Sequence, residues 1–270
     1  MRERFAGKVA LVTGASSGIG AALAREFARQ GAAVALLARR AERLRALAAE
    51  LHAGGRRALA IPCDVTREGD LERAVSLTVA GLGGIDVAVA NAGFGVVGRF
   101  DALRLDDYRR QFETNVFGVL RTAAAALPEL RRRRGTLVLM GSVTSYVAAP
   151  GASPYAMSKF SVRAFAEAVR PELARDGVAL VLLTPGFVAS EIRQVDNRGR
   201  LHPDAPDTVP PILRMGAEEA ARKMVRAVAR RRRELVLTLS GRLGVQVQRH
   251  VPWLVRAALA RRPVGRREPT

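Results

Sequence analysis

Seven short, predominantly apolar runs recur along the chain, at 9–13, 33–38, 58–62, 86–90, 136–140, 179–183 and 235–239. They are continuously apolar rather than alternating with polar residues, so each predicts a strand covered on both faces. Between them the pattern turns helical, over 19–30, 41–53, 68–82, 105–130, 154–175 and 217–232. Strand–helix alternation of this kind predicts an α/β chain built on a doubly wound parallel sheet. Right-handed crossovers in such a sheet place ligands outside the carboxyl ends of the strands. One section breaks the rhythm: 187–215 is irregular and holds Pro203, Pro206, Pro210 and Pro211. A loop that long inside a compact domain is usually functional or mobile.

At 270 residues the chain can bury one large core, and with 49% apolar but only 5% aromatic residues that core is aliphatic. The single cysteine, Cys63, excludes an internal disulfide, and no Cys/His cluster has metal spacing. Met1-Arg2-Glu3-Arg4 runs straight into the first strand without a secretory pattern, so a cytoplasmic location is expected. The charge-free run 135–158 contains Pro150, Pro154 and several hydroxyls, which excludes a membrane span.

The net charge of +19 changes the picture less than its size suggests. Most of it lies beyond position 221, where fourteen Arg or Lys face two Glu. No recognition motif accompanies it, so specific nucleic-acid binding is not expected.

Two motifs carry chemistry. Thr13-Gly14-Ala15-Ser16-Ser17-Gly18-Ile19-Gly20 follows the first strand and opens the first helix. Glycines there permit a tight turn and close backbone approach, and the helix N-terminus attracts phosphate. Further on, Tyr155 and Lys159 stand four residues apart and share one helix face. A phenol with pKa near ~10 is a poor acid or base at neutral pH. A neighbouring ammonium favours the phenolate, which brings the group toward working pH. Ser142, thirteen residues before the tyrosine and just past the fifth predicted strand, is placed to orient a substrate oxygen. Each residue alone has a plain reading: a glycine turn, a half-buried tyrosine, a solvated lysine, a strand-end serine. The ordered set is what signals chemistry.

From about 8 to 240 this ordered set resembles the short-chain dehydrogenase/reductase family. The resemblance implies a single Rossmann-type doubly wound parallel sheet of about seven strands with helices on both faces. It also implies that Tyr155 exchanges a proton with the substrate oxygen, that Lys159 grips the nicotinamide ribose, and that Ser142 holds the substrate. Asn115, in Thr114-Asn115-Val116-Phe117-Gly118, matches the family's helix asparagine, whose backbone carbonyl holds a water beside the lysine. Gly14, Ser16, Ser17, Gly18, Ile19 and Gly20 become the phosphate cradle. Asp64 and Val65 become the adenine contacts. Asn91, Ala92 and Gly93 match the family's Asn-Asn-Ala-Gly segment, with Ala90 replacing its first Asn. Pro185, Gly186, Val188 and Ser190 match the segment that meets the carboxamide, where the family often carries Thr at the position of Ser190.

Ala38 stands where NAD-preferring members carry Asp, and Arg39 follows it. A small residue beside a guanidinium suits a 2′-phosphate, so NADP(H) is expected over NAD(H), although Arg39 and Arg40 are also readable as plain surface arginines. The family resemblance implies a homodimer or homotetramer and a small carbonyl or alcohol substrate. Pocket residues are expected from 94–97, 143–149 and 187–215, whose composition favours an apolar or lipid-like compound. A non-catalytic dinucleotide-binding regulator is the alternative. Beyond 240 the resemblance fades into a basic, amphipathic extension, 241–270, which Pro252 is expected to divide. It has three readings: packing on its own or a neighbouring subunit, lying on an anionic membrane, or closing over substrate.

Overall fold

The computed structural model describes residues 3–207 and 209–261. Its strands are β1 (Val9–Thr13), β2 (Ala33–Ala38), β3 (Ala58–Pro62), β4 (Val87–Ala90), β5 (Thr136–Met140), β6 (Ala179–Thr184) and β7 (Glu234–Val236). Among the described residues these seven form one parallel sheet in the order β3-β2-β1-β4-β5-β6-β7. The order reverses between β1 and β4, and that switch point is where such sheets open a crevice.

The pleat explains the continuously apolar strands. In β1, Ala10 and Val12 join a core with Phe27 and Met224, while Leu11 joins a second core with Leu130 and Leu139. Neighbouring residues thus face opposite layers, and each layer is apolar. The first layer holds α1 (Gly18–Arg29), α2 (Ala41–Ala53) and α7 (Ala217–Ala229). The second holds α3 (Asp70–Leu82), α5 (Gly118–Arg133) and α6 (Ser153–Arg175).

Several boundaries differ from the sequence expectation, and three of the differences have a physical cause. The fourth strand begins at Val87 because Asp86 serves another purpose: its buried carboxylate accepts from the Val9 amide at 2.9 Å and from Lys8 Nζ at 3.0 Å. The helix expected over 105–130 is divided into α4 (Leu105–Phe112) and α5 by a π-turn at Glu113–Phe117. The strand expected over 235–239 leaves the sheet after Val236, since Thr238 caps α8 (Leu239–His250) by accepting the Gly241 amide at 3.1 Å. Pro252 then opens α9 (Pro252–Ala260), so the proline does divide the extension.

Within the extension, α8 packs on the body of the chain through Gly241 and Val245. Arg249 lies 5.2 Å from the Tyr146 ring, which Arg163 covers at 4.1 Å. Tyr146 also donates to Glu234 at 2.6 Å, so one aromatic ties α8 and α6 to β7. By contrast α9 has no buried residue, and Trp253 and Leu254 face outward.

Candidate active site

A cleft of about 820 Å³ runs along the carboxyl ends of the strands at the switch point. Its nucleotide end is made by the turn between β1 and α1. Gly14 has φ +67, a left-handed conformation that L side chains rarely adopt. Gly20 is required by proximity: an added Cβ would lie 2.2 Å from the Gly14 carbonyl oxygen and 2.6 Å from Asn91 Nδ2. The Ser17 side chain makes no capping bond at the α1 N-terminus, which leaves the first-turn amides of α1 to a ligand anion.

The floor is fastened across the switch point. The buried Thr13 hydroxyl donates to the Val89 carbonyl at 3.2 Å and accepts the Asn91 and Ala92 amides at 3.0 and 3.1 Å. Asn91 Nδ2 returns a bond to the Thr13 carbonyl at 2.9 Å. Asn91, Ala92 and Gly93 all line the cleft, as do Asp64 and Val65. The Asp64 carboxylate accepts from the Thr66 amide and hydroxyl, and Thr66 reaches the cleft wall as well.

Tyr155 and Lys159 line the other end from α6. Lys159 is buried; its Nζ donates to the Met140 carbonyl at 2.8 Å and lies 5.8 Å from the Tyr155 ring centroid. Loss of hydration lowers its pKa to about 8. Tyr155 departs from the expectation that the ammonium would make it acidic. Burial raises the phenol above its ordinary value, and the opposing influences are a hydrogen bond with Ser142 and the charge of Arg193. Ser142 also accepts the Thr144 amide at 3.1 Å, which fixes its rotamer just past β5.

Asn115 is buried within the π-turn. Its Oδ1 accepts the Phe94 amide at 3.1 Å, and its Nδ2 donates to the Phe94 carbonyl at 3.0 Å and to Ser158 Oγ at 3.3 Å. These bonds pin the helix to the loop after β4 and to α6, and the extra residue in the turn is the accommodation.

The predicted cofactor residues are not all at the wall. Gly14, Ser16, Ser17, Gly18, Ile19, Gly20, Arg39, Pro185 and Ser190 line the cleft. Gly186 instead packs against Thr238, whose Oγ1 would lie 2.3 Å from an added Cβ, and the Val188 side chain is buried in the core. The 143–149 segment does not line the cleft, because Tyr146 turns toward β7.

The irregular section is stapled at its base, where Ala189 donates to Met215 and Met215 to Phe187, each at 2.9 Å. Its Asn197 grips the Val97 backbone twice, accepting the amide at 3.0 Å and donating to the carbonyl at 2.8 Å. Asp207 holds Arg193 through two bonds of 2.6 and 2.8 Å and Arg214 through one of 2.8 Å, which keeps its pKa far below the usual carboxylate range. Ile192, Val195 and Leu201 from this section line the cleft, as does Phe94 from the loop after β4.

Four residues that the sequence reading did not single out belong to this site. Arg193 is one. Arg40 is another: half-exposed, it bonds Ser16 Oγ at 2.9 and 3.1 Å, Ser17 Oγ at 2.6 Å and Glu191 at 3.0 Å. Glu191 and Thr13 complete the set. Thr13 has a visible signal as the first residue of the glycine motif, and Arg40 as the neighbour of Arg39.

The residues present fit a nicotinamide dinucleotide: an uncapped helix N-terminus between close-packed glycines, carboxylate and hydroxyl groups toward the adenosine end, and a buried lysine beside a tyrosine at the other. A family profile described as short chain dehydrogenase matches residues 8–200. The chain is 37% identical over 243 residues to 11-beta-hydroxysteroid dehydrogenase 1A of Arabidopsis thaliana, covering 86% of this chain and 68% of that one. It is 36% identical over 208 residues to oxidoreductase UcpA of Salmonella typhimurium, covering 76% and 78%. Among solved structures it resembles the alcohol dehydrogenase from the archaeon Thermococcus sibiricus complexed with 5-hydroxy-NADP, at TM-score 0.75 and 30% identity over 85% of this chain and 95% of that one. A short-chain dehydrogenase/reductase from Burkholderia phymatum in complex with NAD shares the fold, at TM-score 0.82 and 22% identity over 99% of each chain. With the profile spanning most of the chain and the relatives agreeing, the chain belongs to the short-chain dehydrogenase/reductase family of NAD(P)-dependent oxidoreductases.

Proposed function

We propose that this enzyme uses NADP(H) to interconvert a ketone and a secondary alcohol, with an apolar or lipid-like substrate. The observation that carries the reading is one cleft lined at one end by the glycine cradle and Arg39 and at the other by Tyr155 and Lys159. Bound there, the cofactor supplies or accepts hydride. Tyr155 donates or takes back the proton of the substrate oxygen, Ser142 orients that oxygen, and Lys159 holds a positive charge close by. Asn115 fixes the turn that faces them. Gly186 and Val188 act through their backbone, since their side-chain positions turn away from the cleft.

NADP(H) is favoured because Ala38 supplies no acid to bind a ribose diol, while Arg39 and Arg40, both lining the cleft, supply two guanidinium groups. Phe94, Ile192, Val195 and Leu201 give the cleft an apolar wall beside the charged Arg198 and Arg200, in keeping with relatives named as hydroxysteroid dehydrogenases. A panel of steroid, aliphatic and aromatic ketones assayed at 340 nm tests both parts. The expected result is turnover of an apolar ketone with kcat/KM at least about tenfold higher for NADPH than for NADH, roughly the worth of one charge-assisted contact.

The pH dependence has a defined sign. Tyr155 stays protonated, as reduction requires, because burial raises its pKa. Lys159 loses its proton at about 8. For ketone reduction kcat/KM is therefore expected to be flat below pH 7 and to fall as pH rises through about 8, as the ammonium beside the developing charge is lost. Lys159→Arg, which stays charged, should remove that decline while lowering the overall rate.

We read the exposed Phe117, Met157 and Phe160 as a contact between copies in a homodimer or homotetramer. Among the described residues no helix is long and apolar enough to cross a membrane. A cytoplasmic enzyme is the proposal, with Trp253 and Leu254 of α9 beside Arg256 available for peripheral contact with anionic lipid.

A further inference from the structure

The base of the irregular section meets the nucleotide end of the cleft through one carboxylate. Glu191 Oε2 pairs with Arg40 Nη1 at 3.0 Å and Oε1 with Arg43 Nη1 at 2.6 Å. Arg40 is committed on its other nitrogens too, with Nε and Nη2 on Ser16 Oγ and Nη2 on Ser17 Oγ. Two stretches thus meet guanidinium groups from the start of α2: the glycine turn meets Arg40, and the first residue after Ser190 meets both Arg40 and Arg43. The packing is close, since an added Cβ on Gly18 would lie 3.0 Å from Ser190 Cβ. Glu191, Arg40 and the two serines all line the cleft.

We propose that Glu191 sets the cofactor preference of this cleft by acting as an internal anion that competes with the cofactor's 2′-phosphate for Arg40 and Arg43. The inference rests on the NADP(H) reading above and deepens it. A phosphate that reads Arg40 must take over nitrogens now held by Glu191 and the serines. A carboxylate and a phosphate sharing those cations repel each other across a few ångströms. Arg39, also lining the cleft, is the cation that such competition leaves untouched. A nucleotide with a bare 2′-hydroxyl has no anion to place there, so Glu191 acts on one cofactor and not the other. The carboxylate thereby lowers discrimination below what three neighbouring arginines would otherwise give. A purely structural tie between the irregular section and α2 would instead affect both nucleotides alike.

The test is calorimetric titration of the full chain, wild type and Glu191→Gln, with 2′,5′-ADP and with 5′-AMP. The expected result is that Glu191→Gln tightens 2′,5′-ADP about fivefold, while 5′-AMP changes less than about twofold. Wild type that barely discriminates, with a variant that prefers 2′,5′-ADP, supports competition by Glu191 and contradicts the tenfold NADPH preference expected of the wild type. A wild type that prefers 2′,5′-ADP, with an unchanged or smaller ratio in the variant, overturns the role of Glu191 and leaves the NADP(H) reading standing. If neither protein distinguishes the two nucleotides, that reading falls and the proposal with it.

Discussion

Tyr155→Phe is expected to lower kcat about 10³-fold, the range of a lost general acid, while the Kd for the dinucleotide stays within about twofold of wild type. The change removes one oxygen and little volume. Tyr155 sits on α6 at the cleft wall, hydrogen-bonded with Ser142, and Lys159 on the next turn keeps its bond to Met140. The nucleotide cradle lies at the far end and is untouched. Rapid-quench turnover together with equilibrium nucleotide titration separates the two effects. A variant with near-normal turnover would refute the role given to Tyr155, whereas a wild type that binds dinucleotide and turns over no substrate would support the regulator.

Gly20→Ala is expected to have the largest structural effect of any single methyl group in the site. The new Cβ would sit 2.2 Å from the Gly14 oxygen and 2.8 Å from its carbon, both backbone atoms. Neither can rotate away, so α1 must shift from β1, at a cost of about 1–3 kcal/mol for overpacking. That shift moves the first-turn amides away from the anion they would bind, so dinucleotide affinity should fall by at least about tenfold. Gly244→Ala is the control. Gly244 lies in α8 with nothing within 4 Å of its added Cβ, and it should be neutral or slightly stabilising. Thermal unfolding and nucleotide titration of both variants provide the comparison.

The sheet was legible because each strand is apolar on both faces, a pattern that survives without any knowledge of partners. The glycine turn and the Tyr155–Lys159 pair were legible because their chemistry needs short fixed spacings within one element. Long-range pairings were not. Arg40 and Glu191 are 151 residues apart, and nothing in either neighbourhood signals the other. The sequence assigns the 2′-phosphate to Arg39, which lines the cleft, but gives no sign that Arg40, at the start of α2, bonds the serines of the glycine turn. The π-turn at Asn115 was hidden for a related reason. Its cause is the Phe94 backbone and Ser158, and the helical periodicity on either side runs through it unchanged. The end of β7 was readable in principle, since Thr238 is a favoured N-cap before the helical pattern of the extension. The apolar run 235–239 outweighed it. Likewise the phenolate reading rests on Lys159 and an oxidised nicotinamide together, and the spacing gives no sign of the burial that raises the phenol and lowers the ammonium.

The account stands on hydride leaving or reaching the nicotinamide while Tyr155 handles the proton of the same substrate oxygen. Repeating the ketone panel with NADPH deuterated at C4 and weighing the alcohol formed tests this most directly. One deuterium on the carbinol carbon with wild type, and almost none formed in the same time with Tyr155→Phe, is the expected result. Alcohol formed without the label, or label transferred equally well by the phenylalanine variant, would contradict it.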